Sequence, residues 1–319
     1  MSSQILTIGR IEIANQLDIA SLLEPTVEAF KALSAGKSRS TIDVLHPTDQ
    51  SDIHVKSAVL DGSDIFTVKL AGWSASNEGF GLPASSGMIL VFDSASCRPI
   101  AILQDNHLIS DLRTAAAGAV AARELSNADA CKLGVLGAGE QAMRQIEALR
   151  LVRDIKEVVI WNRSRGRAIK MAGLISASDA NLTVHVADTV QAVVEGADIL
   201  VTATASKEPL VRAEWLKPGL HITSVGSDDA TKCELDPACF NRADLIVVDS
   251  ALQSTQHGNI QRAIAAKIIA PESVVEIGNI LTGDVAGRRS HESITISTFI
   301  GIGIQDLAAA KVLLERVSV

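Results

Sequence analysis

The stretch "CKLGVLGAGEQAMRQIEAL", Cys131–Leu149, decides the fold. A run of apolar, strand-forming residues breaks at a glycine-rich turn and resumes as an amphipathic helix. The turn reads Gly137-Ala138-Gly139-Glu140-Gln141-Ala142, a GxGxxA pattern. Gly137 permits the tight turn, Gly139 lets a pyrophosphate approach the backbone, and Ala142 is small enough for close helix packing. The helix that follows supplies unpaired N–H groups and the positive end of its dipole. The pattern alone is weak. Its position after a strand, before a helix and at the head of a βαβ series gives it meaning.

Working forward, strand candidates alternate with helical or connecting segments. They are "KLGVLG", "EVVIWN", "TVHVA", "DILVTAT", "HITSVG" and "DLIVVD". Near-continuous Val/Ile/Leu runs of this kind predict a parallel sheet covered on both faces. Six units make one doubly wound Rossmann-type dinucleotide domain, expected over 121–299, and the text after Asp249 turns helical. Working backward, "SDLRTAAAGAVAARELS" predicts a long linking helix over about 111–126, capped by Ser110 or Asp111. Residues 53–103 hold the short β-rich runs "IHVKSAVL", "IFTVKLAG", "GMILVFD" and "PIAILQD", separated by Asp-Gly, Asn-Glu-Gly and Ser-rich breaks. They predict an antiparallel or mixed sheet. "DIASLLEPTVEAFKALSA", Asp18–Ala35, predicts a helix ending at Gly36. The last helical stretch, "GIGIQDLAAAKVLLERV", is placed to return to this first region. The expected fold class is therefore α/β: the Rossmann domain plus an α+β domain formed by 1–120 and 300–319, to which the resemblance named below gives the substrate and dimerisation roles.

Composition narrows the function. Among 319 residues, 47% are hydrophobic and 21% charged, which describes a globular chain. The net charge of −8 argues against a nucleic-acid partner. No apolar run is long enough to span a bilayer, so no membrane partner is expected. The first residues lack the basic start and apolar centre of a secretory signal. Cys97, Cys131, Cys233 and Cys239 form no CxxC pair, and a reducing cytoplasm is the simplest reading. There is no Tyr, so no tyrosine serves as a proton donor. His54, His107, His185, His221, His257 and His291 show no metal-ligand spacing such as HExxH, and no metal is expected.

The end of the second strand bears on the cofactor. An NAD site usually places Asp or Glu there for the ribose hydroxyls. This chain has Asn162, Arg163, Ser164 and Arg165 instead. Asn162 and Ser164 can bond a 2′-phosphate and Arg163 can neutralise it. NADP(H) is therefore favoured, with NAD(H) the alternative if these are solvated loop residues.

The chain resembles the ornithine cyclodeaminase/mu-crystallin family over nearly its whole length. The resemblance rests on "VKLAG", "GFGLPASSGMILVFD", "LISDLRTAAAGAVAARELS", "GVLGAGEQA", "VVIWNRS", "SVGSDDATKCELD" and "GIGIQDLAAAK". It implies a dinucleotide domain, a substrate domain that usually dimerises, and small imino or amino acids as substrates. Lys69 matches the family's active-site lysine, which contacts the substrate carboxylate and exchanges protons. Arg113 matches the arginine that grips the same carboxylate. Thr114 is implied to face the cofactor phosphates, and Asp228 to lie near the substrate nitrogen. Thr202, Ala203 and Thr204 match the loop past the nicotinamide ribose, and Val225 and Gly226 complete the cofactor set. Taken singly, Lys69 reads as a surface charge, Arg113 as a packing ion pair and Asp228 as a turn cap. The physics supports the joint reading. Arg clamps a carboxylate bidentately, an ionised Asp stabilises an iminium, and a lysine beside an arginine has a lowered pKa.

Two departures concern the substrate. Many members carry an arginine in the region corresponding to "STIDVLHP". A rough alignment puts Asp43 there, with Arg39 a few residues earlier. Lys56 stands where many members have an apolar Met-Pro pair, and it is expected on a strand beside that of Lys69, as a further substrate-binding cation. The tail "STFIGIG" lacks the Asp-Ser-Thr that often precedes the glycine. Three readings follow: an NAD(P)H-dependent imine reductase or amino acid dehydrogenase, including iminosuccinate reduction; an ornithine- or lysine-type cyclodeaminase using bound NAD+; and a non-catalytic NADP(H)-binding protein. A homodimer is expected, because the β-rich runs would otherwise leave open edges.

Overall fold

The computed structural model describes residues 5–317. In chain order the elements are β1 (Leu6–Gly9), α1 (Arg10–Gln16), α2 (Ile19–Ser34), β2 (Ser38–Thr48), β3 (Ser51–Leu60), β4 (Ile65–Ser74), β5 (Ser85–Asp93), β6 (Pro99–Gln104) and α3 (Leu108–Leu125). Then come β7 (Lys132–Leu136), α4 (Glu140–Leu149), β8 (Glu157–Trp161), α5 (Arg165–Ser178), β9 (Thr183–Val186), α6 (Val190–Gly196), β10 (Ile199–Thr202) and β11 (His221–Ser224). The last are β12 (Leu245–Val248), α7 (Ala251–Ser254), α8 (Gly258–Ala265), β13 (Val274–Glu276), α9 (Ile277–Leu281), β14 (Thr295–Thr298) and α10 (Gly303–Val317). The chain divides into two compact units, Met1–Arg113 with Ile302–Val319, and Thr114–Gly301. The divide falls within α3, seven residues before the expected 120/121 boundary, and the return falls at 301/302 instead of 299/300. Residues 1–4 and 318–319 of the expected first domain lie outside the described residues.

The first unit is built on a six-stranded sheet in the order β1-β6-β5-β4-β3-β2. β1 pairs parallel with β6 and the remaining pairs are antiparallel. The Asp61-Gly62 break makes the β3–β4 turn, where Gly62 takes φ +76°. Side chains alternate across the sheet. His54, Lys56, Thr67, Lys69, Ile89 and Val91 lie buried on one face. The α10 helix packs against α2, β3 and β4. The α2 helix begins as expected at Asp18, whose Oδ1 accepts from Ser21 N at 2.8 Å while Ser21 Oγ accepts from Asp18 N at 3.2 Å.

The second unit is the expected doubly wound domain with a larger sheet. Eight parallel strands run β13-β12-β14-β11-β10-β7-β8-β9. The six predicted strands are all present, and β13 and β14 are added from text that reads as helical. β14 inserts between β11 and β12, in the interior of the sheet. Each face buries its own core. Leu133, Val135, Ile199 and Val201 pack with Ile146, Leu149, Met171 and Ile175 on one side. Leu136, Leu200 and Ile222 pack with Val193, Val194, Ile260 and Ala263 on the other. No helix among the described residues is long and apolar enough to cross a membrane.

Candidate active site

In the first unit, three segments distant in sequence place charged groups together. Lys69 on β4, Arg113 on α3 and Asp306 on α10 are 2%, 4% and 1% exposed. Lys69 Nζ donates to Asp306 Oδ1 at 2.9 Å and lies 2.8 Å from Oδ2. It also donates to Ser110 Oγ at 2.9 Å. Arg113 Nε donates to the same Asp306 Oδ1 at 3.0 Å, and its Nη1 donates to Gln305 Oε1 at 3.2 Å. Arg113 Nη2 has no hydrogen-bond partner among the described residues, so the outer edge of the guanidinium keeps donors for a ligand. Burial and the nearby Arg113 pull the Lys69 ammonium down to about 8, against the attraction of Asp306 and Asp105. Burial acts to raise the Asp306 carboxyl, but Lys69, Arg113 and Lys56 outweigh it and hold it below the usual carboxylate range. Asp105 is pushed the other way: burial raises it, although its Oδ2 accepts from Ile109 N at 2.9 Å.

Lys56 is 4% exposed and stands directly opposite Lys69 in the β3–β4 register, on the same buried face. Asp43 does not join them. It pairs with Val55 and is exposed on the opposite face of β2. The residue of β2 opposite Lys56 is Ile42. Arg39 is likewise on the outer face, 3.5 Å from Asp61.

In the second unit, the glycine turn follows β7. Gly137 takes φ +124°, and a Cβ there would come within 2.5 Å of the Ala203 carbonyl oxygen. Gly139 caps α4 without a side-chain hydrogen bond, and a Cβ on it would meet nothing within 4 Å. The first-turn N–H groups of Glu140, Gln141 and Ala142 have no acceptor inside the helix. Ala138 is half-buried, and this open, uncapped helix start fits a pyrophosphate. Gln141 Oε1 accepts from Gln145, which also donates to the Thr114 carbonyl at 3.0 Å. Beyond β8, Asn162 Nδ2 donates to the Ser164 carbonyl at 3.0 Å, while Arg163 is exposed with no ion partner among the described residues.

The loops after β10 and β11 are fastened to one buried carboxylate, Glu234. Its Oε2 accepts from Thr202 Oγ1 at 2.7 Å, Ser224 Oγ at 2.8 Å and Gly226 N at 3.0 Å. Its Oε1 accepts from Thr204 N at 2.6 Å and Thr204 Oγ1 at 2.8 Å. Burial raises this carboxyl, and the Thr202, Thr204 and Ser224 bonds oppose the rise. Gly226 is obligatory: a Cβ there would lie 2.2 Å from Thr204 O and 2.6 Å from Glu234 Oε1. Val225 N donates to Thr202 O at 2.9 Å, and Ala203 N to Leu136 O at 2.9 Å, so all five expected residues sit at neighbouring strand ends. Asp228 lies just beyond, its side chain 32% exposed and 2.7 Å from Lys232 Nζ. Asp229, its neighbour, is buried and accepts from Thr231 N, Thr231 Oγ1 and Lys232 N at 2.6, 2.7 and 3.0 Å.

Asp306, Gln305, Glu234 and Lys232 are not singled out by the sequence, and Ser110, expected as a helix cap, lies inside α3 and binds Lys69 instead. Asp306 and Gln305 do carry a signal, since both interrupt an otherwise apolar stretch of "GIGIQDLAAAK".

A two-unit chain with a doubly wound dinucleotide sheet and a separate buried cation cluster defines a class of nucleotide-dependent enzymes. The chain belongs to the ornithine cyclodeaminase/mu-crystallin family, whose model matches residues 2–319. It is 36% identical over 317 residues to an uncharacterized cyclodeaminase of Sinorhizobium fredii, covering 98% of this chain and 95% of that one. It is 33% identical to alanine dehydrogenase of Archaeoglobus fulgidus, covering 99% and 95%. It is 34% identical over 251 residues to iminosuccinate reductase of Paracoccus denitrificans, covering 79% and 77%. Among solved structures, Δ1-pyrroline-2-carboxylate reductase of Thermococcus litoralis with NADH and L-proline superposes with TM-score 0.93 at 26% identity, covering 98% of both chains. An archaeal alanine dehydrogenase dimer with bound NAD gives 0.90 at 31% identity, covering 98% and 96%.

Proposed function

We propose that this protein reduces a small 2-imino acid to the amino acid with a nicotinamide dinucleotide. The observation that carries the reading is the buried Lys69–Arg113 pair, which keeps free donors in a chain of this family. A 2-imino acid bears one carboxylate, and the outer edge of Arg113 offers the fork that such a group needs. Lys69 adds a second donor and, with its ammonium near 8, can give up a proton near neutral pH. Lys56 is the third cation of this side and touches what the substrate carries beyond that carboxylate. The first unit is accordingly the substrate domain.

The second unit is the dinucleotide domain. The pyrophosphate binds at Gly137, Ala138, Gly139 and the first-turn amides of Glu140 and Gln141, with Thr114 on the phosphate side. Thr202, Ala203, Thr204, Val225 and Gly226 line the nicotinamide ribose. When bound, the cofactor supplies the hydride. Asp228 provides negative charge for the iminium nitrogen, and Lys232 holds its carboxylate in place. We favour NADPH over NADH, because Arg163 is exposed and unpaired beside Asn162 and Ser164, and no acid ends β8. The outer face of the first-unit sheet leaves Leu45, Val59 and Met88 exposed, with Phe80 and Leu82 nearby, which suits a homodimer built on that sheet.

The test is a panel of 2-oxo acids with ammonia or methylamine, cyclic imino acids and ornithine, followed by NADPH and NADH loss. Stoichiometric consumption of reduced cofactor supports the reductase. Ammonia release from ornithine or lysine without net cofactor turnover would establish the cyclodeaminase reading instead, which the Sinorhizobium fredii relative keeps in play. Dinucleotide binding with no turnover of any member would leave a binding protein.

A further inference from the structure

We propose that Asp306 is the fixed counter-ion of the substrate clamp: a positioning residue that aims Arg113 and keeps Lys69 protonated, and that stays in place when substrate binds. The proposal rests on the reading of Lys69 and Arg113 as the carboxylate clamp. Three features carry it. One oxygen, Asp306 Oδ1, accepts from both cations, at 2.9 Å from Lys69 Nζ and 3.0 Å from Arg113 Nε. The carboxylate is buried at the start of α10, where it cannot swing into solvent to make room. The bonds it takes are on the Nε side of the guanidinium. Gln305 takes one Nη1 proton at 3.2 Å, and Nη2 and the remaining Nη1 proton stay available.

This arrangement solves a charge problem. Two adjacent buried cations repel, and burial together with the neighbouring Arg113 pulls the Lys69 ammonium down. Asp306 offsets it while leaving the outer guanidinium edge and one Lys69 N–H for the incoming carboxylate. Among the described residues, Lys56 from β3 stands opposite Lys69 and Asp105 from the segment after β6 acts on it electrostatically. His107 and Asp111 pair with each other at 3.0 Å. Lys56 adds to the repulsion. Asp105 is the weaker anion, because burial favours its neutral form.

Two experiments test this on the full chain. The first is a crystal structure of the wild type with NADP+ and pyrrole-2-carboxylate, a flat unreactive carboxylate. The expected result has the ligand carboxylate on Arg113 Nη1 and Nη2, with Asp306 still on Nε and Lys69. A ligand oxygen that replaces Asp306 on Nε overturns the proposal. A ligand bound away from both cations overturns the clamp reading and the proposal with it. The second is the pH profile of kcat/KM for Asp306→Asn, which keeps the shape and removes the charge. The basic limb should move from about 8 in the wild type to a proton concentration at least roughly tenfold higher, the usual effect of one close opposite charge. NADPH affinity should not change. A purely structural role would lower thermal stability and leave the limb where it is, and that result also overturns the proposal. If Asp306→Asn does not fold, the wild-type complex decides. A raised KM in Arg113→Ala together with an unmoved limb would sink only the Asp306 role and leave the clamp standing.

Discussion

Replacing Glu234 by Gln tests whether one buried carboxylate fastens the two loops on the cofactor side. Both of its oxygens accept a backbone N–H, Thr204 N at 2.6 Å and Gly226 N at 3.0 Å. The amide group of a glutamine has only one acceptor. Turned with its oxygen toward Thr202, Ser224 and Gly226, it opposes an NH2 to the Thr204 N–H. Turned the other way, it opposes Gly226. One buried backbone donor is orphaned either way, at about 1–3 kcal/mol, and the bonds that survive lose their charge-assisted share. A total of about 2–4 kcal/mol is expected. For a unit of this size that is a fall in Tm of roughly 5–15 °C. Because Thr204 and Gly226 are proposed to line the nicotinamide ribose, the NADPH Kd should rise about tenfold or more. Calorimetry reads the first quantity and isothermal titration the second, with the exposed Glu272→Gln as control. A Glu234→Gln protein with Tm within about 2 °C of wild type and unchanged Kd would refute the latch, since the orphaned donor alone requires more than that.

Other outcomes can be measured on the same material. Activity should fall as pH rises through about 8, because Lys69 is then losing the proton that lets it hold a carboxylate; a kcat/KM that climbs through that range would mean the neutral amine is the active form. Arg113→Ala should raise KM about 10–100-fold with NADPH affinity intact, from the loss of charge-assisted bonds, and an unchanged KM would remove it from the clamp. Asp228→Asn should lower kcat about 100-fold with little change in KM, and near-normal turnover would leave Asp228 as the surface partner of Lys232. Arg163→Ala should narrow the preference for NADPH over NADH, measured as a ratio of Kd values; equal wild-type affinities would end the assignment.

The sequence disclosed what short-range pattern can carry. The glycine turn, the six apolar strands of the second unit and the linking helix were legible because each is written in a few consecutive residues. β14 was not, since Thr295–Thr298 reads "TIST" and a buried parallel strand is expected to be apolar. Its hydroxyls are satisfied at long range, Thr295 Oγ1 on the Leu125 carbonyl at 2.9 Å and Ser297 Oγ on that of Ile222 at 3.2 Å. β2 is hidden in the sequence for a different reason. It is an edge strand whose outer residues Arg39, Thr41 and Asp43 are exposed, so its alternation looks like loop text. Asp43 and its neighbour Ile42 therefore fall on opposite faces, and only Ile42 stands opposite Lys56, because one residue along a strand changes the face. Asp306 and Glu234 were hidden because their partners, Lys69 and Arg113 for one and Thr202 and Thr204 for the other, lie far off in the chain. Burial turns an unremarkable acid into an organising one, and burial is a property of the assembled fold.

The first unit is made of two pieces of chain, with the whole of Thr114–Gly301 synthesised between them. At about 5–20 residues per second, the ribosome takes roughly ten to forty seconds to deliver α10 after the end of the first piece. Through that interval β3 and β4 wait without the helix that packs on them, and Lys69 and Arg113 wait without their shared carboxylate. The dinucleotide unit is continuous and can close as soon as its own strands emerge. A nascent chain therefore completes the strands of its second unit before α10 joins Lys69 and Arg113, and a chain released after Gly301 should retain NADPH binding while its first unit is open to protease and chaperone.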